Sequence, residues 1–190
     1  MKSSALVALL LGIAALVAPL GAEEFQAELG FTLLFNGKDL TGWQHKDGPE
    51  LKGLTDAGDG RYTVVDGAIS GGGDKATHGR VLLWTVAPHT GNFVLRFEFK
   101  AAPHCDGGFF FNKSQLQCGD YNSYAYKAFK FYKPEAWNAI EVTVTDNVAR
   151  CTCNGELLEP ALKITEPGAF AIEVDKNPIA YRRLRLKPLP

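Results

Sequence analysis

The stretch from Ala139 to Leu158 reads AIEVTVTDNVARCTCNGELL, and how it is read decides the fold. Ile140, Val142 and Val144 alternate with Glu141, Thr143 and Thr145, the period of two that turns one face of a strand inward and the other to water. Asp146 and Asn147 then turn the chain, Val148 to Cys153 makes a second strand, and Asn154 with Gly155 turns it again. An Asn-Gly pair accepts the positive φ that a two-residue hairpin turn needs at both central positions. The stretch therefore predicts a three-stranded antiparallel meander.

The same period continues on either side. In NFVLRFEFK, Phe93, Leu95, Phe97 and Phe99 face one way and Arg96, Glu98 and Lys100 the other, which is a half-buried strand. RYTVVDGAISGGG gives a hairpin about Asp66 and Gly67, GRVLLWTVAP a more fully buried strand, and GGFFF, starting at Gly107, a core strand. GAFAIEVD and IAYRRLRLKPLP are two closing strands separated by Asn177 and Pro178. No helix-period segment is long enough to matter. Strands this short, separated by Gly, Asn, Asp and Pro turns, predict an all-β, two-sheet antiparallel sandwich. The longest irregular segment, from His45 to Gly60, is placed to overhang one sheet.

Composition narrows the function. A chain of 190 residues, 46% hydrophobic and 22% charged, can bury a full core as one domain. Its 20 Lys and Arg are scattered and matched by 21 Asp and Glu, so no basic face is present to neutralise phosphates, and no nucleic-acid partner is expected. Residues 1–22 place one Lys before an apolar run and end in Gly21-Ala22, the layout of a cleaved signal peptide, with a retained anchor as the competing reading. The fold is assigned to residues 23–190, in a periplasmic or secreted location without stable membrane insertion.

Four cysteines, Cys105, Cys118, Cys151 and Cys153, allow three complete pairings, and buried free thiols remain an alternative. The C-x-C of Cys151 and Cys153 lacks the second element of a zinc site. His45, His78 and His89 lack metal-ligand spacing, so no metal or other cofactor is predicted. GGGD, ending at Asp74, opens no helix and is read as a loop; G-x-S-x-G and Cys/His nucleophile patterns are missing from the sequence. Trp84, inside an apolar strand, reads as core, whereas Trp43 is open between core and sugar platform.

The polar candidates gather around one strand. Gln115 and Gln117 share a face, and side-chain amides, each a donor and an acceptor, suit sugar hydroxyls; a plain solvent-facing strand shows the same row. Asp106 and Asp120 flank that strand, His104 precedes it, and Tyr121, Tyr124, Tyr126 and Lys127 follow. Acid–base cleavage of a glycoside needs two titratable groups about the scissile bond, though Asp in CDGG and CGDY also fits a turn.

With these residues in view, the chain resembles the 3-keto-disaccharide hydrolase domain family. The resemblance rests on FTLLFNGKDLTGW from Phe31, on NFVLRFEFK, on Trp137-Asn138, on NGELL and on the ending GAFAIEVD…YRRLRLKPL, all in the same order. It implies a concanavalin-like jelly roll with a small-carbohydrate site on its concave face, acting on glycosides oxidised at the third sugar carbon. The family's Asn-Ser-Gly strand entry ending in Arg falls on Asp106, Gly107, Gly108 and Asn112; its E-x-Q-x-x-D falls on Gln115, Gln117 and Asp120; its late Gln and His fall on Glu173 and Asp175. The resemblance thus implies Asp120 as acid or base, Asp106 or Glu173 as its partner, and Asn112, Gln115, Gln117, Tyr121 and Asp175 as sugar contacts. The replaced family positions keep open a non-catalytic carbohydrate-binding module of the same fold, and an envelope interaction domain is a third possibility.

Overall fold

The computed structural model of the chain describes residues 25–58, 60–72, 81–122 and 124–190; the expected leader over residues 1–22, Asp74 and His78 lie outside these. Period-two segments become strands throughout. The larger sheet is ordered β11 (Glu156–Lys163), β10 (Val148–Cys153), β9 (Asn138–Thr145), β6 (Phe93–Ala101), β13 (Ile179–Pro188), β4 (Ala68–Gly71) and β3 (Tyr62–Val65), with β1 (Thr32–Leu33) also on β13. The smaller is ordered β2 (Trp43–Gln44), β5 (Val81–His89), β12 (Gly168–Val174), β7 (Asp106–Phe111) and β8 (Ser114–Gly119). Every pairing between these strands is antiparallel. The result is the expected all-β jelly-roll sandwich, and the predicted meander is β9, β10 and β11.

β13 shows how one strand serves two neighbours on one side. Its first residues pair with β4, its later ones with β1, and a break in register between Arg182 and Arg185 separates the two. Arg183 sits in that bulge with φ of 54°, a left-handed conformation that a regular strand does not use.

The core lies between the sheets. Phe93, Leu95, Phe97 and Phe99 of β6 are all buried, and Phe97 stacks on Phe109 of β7 with centroids 4.8 Å apart. Phe170 of β12 closes on Phe93, Phe109 and Phe111. Each such ring contributes about 1.5–3 kcal/mol by leaving water, so this aromatic layer helps hold the two sheets together.

The FTLLFNGKDLTGW motif is a built turn. The Asn36 side-chain oxygen accepts from the Lys38 and Asp39 amides at 2.8 and 3.0 Å, Asp39 accepts from the Thr41 amide at 2.9 Å, and Gly37 and Gly42 take φ of 79° and 86°. The motif delivers Trp43 into the core, fully buried, with its indole N–H donating to the Leu34 carbonyl at 2.9 Å. Trp43, left open by the sequence, is therefore core, and Trp84, expected in the core, is half-buried on the outer face of β5. VLLWTV is apolar on both faces, which hid its period; Leu83 and Thr85 point inward, so Trp84 points out. GRVLLWTVAP is correspondingly less buried than expected.

From His45 to Gly58 the segment packs against the edge of the sandwich. Glu50 accepts from the Gly42 amide, the Leu51 amide donates to the Trp43 carbonyl, and Leu51 and Ala57 are buried. The imidazole Nε2 of His45 lies 2.8 Å from the Ala57 carbonyl, a structural contact. All four cysteines are buried free thiols.

Candidate functional site

Alternation along the smaller sheet defines its outer face. In β7, Phe109 and Phe111 belong to the core, so Asp106, Gly108 and Phe110 point the other way. In β8, Leu116 and Cys118 are core, so Gln115 and Gln117 share that outer face. In β12, Phe170, Ile172 and Val174 are core, which turns Ala171, Glu173 and, just past the strand, Asp175 outward. Register then brings them side by side: Glu173 is opposite Gly108, and Gly108 is opposite Gln117.

A continuous hydrogen-bonded row results. Gln115 Nε2 donates to Glu173 Oε2 at 2.8 Å and to Gln117 Oε1 at 3.2 Å. Gln117 Nε2 donates to Asp106 Oδ1 at 2.8 Å, and Lys176 Nζ donates to Asp106 Oδ2 at 3.1 Å. Glycine at position 108 is what lets the row close. A Cβ there would stand 2.6 Å from Gln115 Nε2 and 3.0 Å from Glu173 Oε2.

The row is set into the molecule rather than laid on an open sheet. Glu173 is 3% exposed, and Phe110 on the same face is also 3% exposed. Asp106 is partly exposed; burial acts to raise its pKa, but hydrogen bonds from Gln117 and Lys176 and the ammonium charge outweigh it and hold the carboxyl below its ordinary value. Asp106 and Glu173 are diagonal neighbours on one face, about 7–8 Å apart between their Cα atoms.

The other expected residues lie around this row. Asp120 follows β8 by one residue and is buried; its Oδ2 accepts from the His104 amide at 2.6 Å and its Oδ1 from the Asn122 amide at 3.1 Å. Asn112 turns the β7–β8 hairpin with φ of 54°, about 13 Å along the strand from Gly108 by the rise per residue. Tyr121 is 38% exposed and lies 6.1 Å from the Tyr132 ring. Asp175 is half-buried, and its amide donates to the Asp106 carbonyl, tying the end of β12 to the start of β7. His104 is an exposed loop residue, and Lys127 is exposed on the 3-10 helix from Tyr124 to Ala128.

Two tyrosines do structural work beside the site. Tyr126 and Tyr132 hydroxyls donate to the carbonyls of Gln117 and Gly119 at 2.7 and 2.8 Å, occupying acceptors on edge strand β8. Sequence reasoning missed Lys176 and Trp84. Lys176 lies in a turn with no pattern of its own, and only the pairing of β7 with β12 reveals it. Trp84 projects from the same outer face as the row, opposite Ala171 in register. Among the described residues no group of three or more His, Cys, Asp or Glu is placed to hold a metal ion, and no helix is long and apolar enough to cross a membrane.

The fold has solved relatives. A provisionally named glycosyl hydrolase from Parabacteroides distasonis is similar with a TM-score of 0.63 at 22% identity, over 85% of this chain and 95% of that one. The carbohydrate-binding module CBM66 from Bacillus subtilis gives 0.52 at 10% identity, over 78% and 97%. The exoplasmic/lumenal domain of VIP36, solved with Ca2+ and Man3GlcNAc, gives 0.53 at 8%, over 85% and 89%. At such identities these likenesses establish the jelly roll alone. No curated protein matches the chain. The family match is broader in consequence: residues 30–187 match the 3-keto-alpha-glucoside-1,2-lyase-like domain, nearly the whole described chain, and the protein belongs to that carbohydrate-active family.

Proposed function

We propose that this is an exported enzyme whose outer five-stranded face cleaves glycosides bearing a ketone at the third sugar carbon. The supporting observation is the row Glu173–Gln115–Gln117–Asp106–Lys176, which gathers two carboxyl groups, two amides and an ammonium on one face. A ketone acidifies the hydrogen on the adjacent carbon. One carboxylate of the pair removes that proton, the C–H electrons form an enolate, and the enolate expels the glycosidic oxygen, which takes a proton from the other carboxyl group. Water then adds to the resulting double bond, so the net change is hydrolysis. Lys176 supplies positive charge beside the developing enolate, and Gln115 and Gln117 bind hydroxyls. Asp120 enters this reading through the backbone: it ties the turn at His104, which leads into β7, to the end of β8.

The test is sugar release from a 3-keto-disaccharide by the purified protein. Release by wild type, reduced 100-fold or more in Glu173→Gln and Asp106→Asn, supports the assignment, the size being that of a lost acid or base. Full activity in either variant removes that residue from its role. Asp120→Asn is expected to lower the melting temperature together with activity; loss of activity at unchanged stability makes Asp120 the acid or base instead.

A second reading is a carbohydrate-binding module. It is favoured by Trp84, whose half-buried ring shares the face, and by Gln115, Asn112 and Asp175 standing where the family pattern has Glu, Arg and His. Retained binding without release by wild type establishes this reading over the first.

A further inference from the structure

The opposite side of the molecule carries a groove that the five-stranded face does not use. Two depressions of about 520 and 360 Å³ adjoin on the outer face of the eight-stranded sheet and share Asp66 and Arg182. Together they run from Trp137 across β13 and β4 to Asn36 and Lys38. Each is in the size range of small-ligand sites, about 300–1,000 Å³, so the groove has room for more than one sugar ring.

The groove exists because of side-chain size and fixed charge. Its floor is Ala68 and Ser70 of β4 with Ala180 of β13, and Ser70 and Ala180 are direct ladder partners. Its wall is the Trp137 ring, with the Arg182 guanidinium 4.0 Å and the Lys100 ammonium 5.2 Å from the ring centroid. Arg182 is fixed in turn by Glu98, Nε to Oε2 at 2.7 Å, so the wall is organised before any ligand arrives.

The remaining polar groups identify the ligand. Asp66, Glu135 and Lys100 have no ion-pair partner among the described residues, and all three line the groove. A polyanion meets Asp66 and Glu135; a polycation meets Lys38, Lys100, Arg182 and Arg183. A neutral polyol satisfies both signs, since its hydroxyls donate to the carboxylates and accept from the ammonium and guanidinium, while the apolar face of a sugar ring lies on indole. We infer that the groove is a second saccharide site, holding a chain of neutral hexoses on the side of the sandwich opposite the carboxylate row. This rests on the carbohydrate-active family and not on the catalytic reading of the other face. Both ends of one short loop are involved: Lys176 contacts Asp106 on one face, and Pro178 borders the groove on the other.

The experiment titrates the full chain with maltohexaose, cellohexaose and laminarihexaose, with polygalacturonate as the anionic comparison, following tryptophan fluorescence and calorimetric heat. At least one neutral hexaose binds wild type, and binding weakens tenfold or more in Trp137→Ala and in Ser70→Leu, which fills the floor without entering the core. Trp137→Phe recovers part of the affinity. Release from a 3-keto-disaccharide is unchanged in all three variants; if wild type releases nothing, loss of hexaose binding in Ser70→Leu still upholds the second site. The inference is overturned if no neutral hexaose binds, if polygalacturonate alone binds, if Ser70→Leu binds as wild type, or if Gln115→Ala abolishes hexaose binding.

Discussion

Asn138 carries more of the fold than its size suggests. Fully buried, it donates from Nδ2 to the carbonyls of Lys133 and Ala136 at 2.9 and 3.0 Å, and its Oδ1 accepts from the Lys133 amide and from Asn154 Nδ2, both at 2.8 Å. Asn138→Leu keeps the branched outline of the side chain and strands those partners, so urea denaturation is expected to show a loss of about 2–4 kcal/mol. Glu28 works through charge instead. The hydrogen bond from Arg185 is the largest influence, opposed by burial and aided by the charge of Arg96, and it brings the carboxyl from 4.5 to about 2. Because the folded value is depressed, the stabilisation is present above pH 4.5 and is lost as pH falls toward 2. Glu28→Gln is therefore less stable than wild type at pH 6, by at most about 1 kcal/mol for so exposed a pair, and the two melting curves converge near pH 2. At this scale the sequence showed Gln115 and Gln117 as a facing pair, because a period of two is local. It did not show that Glu173, 58 positions away from Gln115 along the chain, completes their row.

The two glycines that open β7 separate folding from function. A Cβ on Gly107 would meet the Glu173 and Cys118 carbonyls at 3.0 and 3.2 Å and Ile179 Cδ1 at 3.0 Å, mostly backbone that cannot yield. A Cβ on Gly108 meets the ends of two side chains, which can move. Gly107→Ala is expected to lower the melting temperature by several degrees, consistent with about 1–3 kcal/mol of overpacking. Gly108→Ala is expected to fold nearly as wild type and to lose saccharide binding at the carboxylate row. Thermal unfolding beside binding measurements on both variants checks the contrast. Hairpins were legible at this scale because their turns announce themselves: Asp66-Gly67, Asp146-Asn147 and Asn154-Gly155 all turn with positive φ at both residues. The face of β5 was not legible, since an apolar run on both sides has no period. Nor does any pattern in β12 and β13 say that they enter different sheets; alternation identifies a strand's inner face but not its neighbours.

The molecule as a whole holds together without covalent ties. Burial pushes the thiols of Cys105, Cys151 and Cys153 up to about 12, and it also raises Cys118 well above its ordinary range. The thiolate is the reactive form, so the folded protein is expected to leave a thiol reagent such as Ellman's unreacted and to titrate four groups once unfolded in guanidinium. A reductant is expected to leave the melting temperature unchanged, and a fall on reduction shows instead that two of these thiols pair in solution. The placement of β12 and β13 has a further consequence. They are the last strands in chain order, yet β12 is the middle strand of its sheet and β13 stands inside the other, between β6 and β4. During synthesis β5 and β7, and likewise β6 and β4, wait for a neighbour that has not yet been made. Neither sheet is continuous until these last two strands have been made.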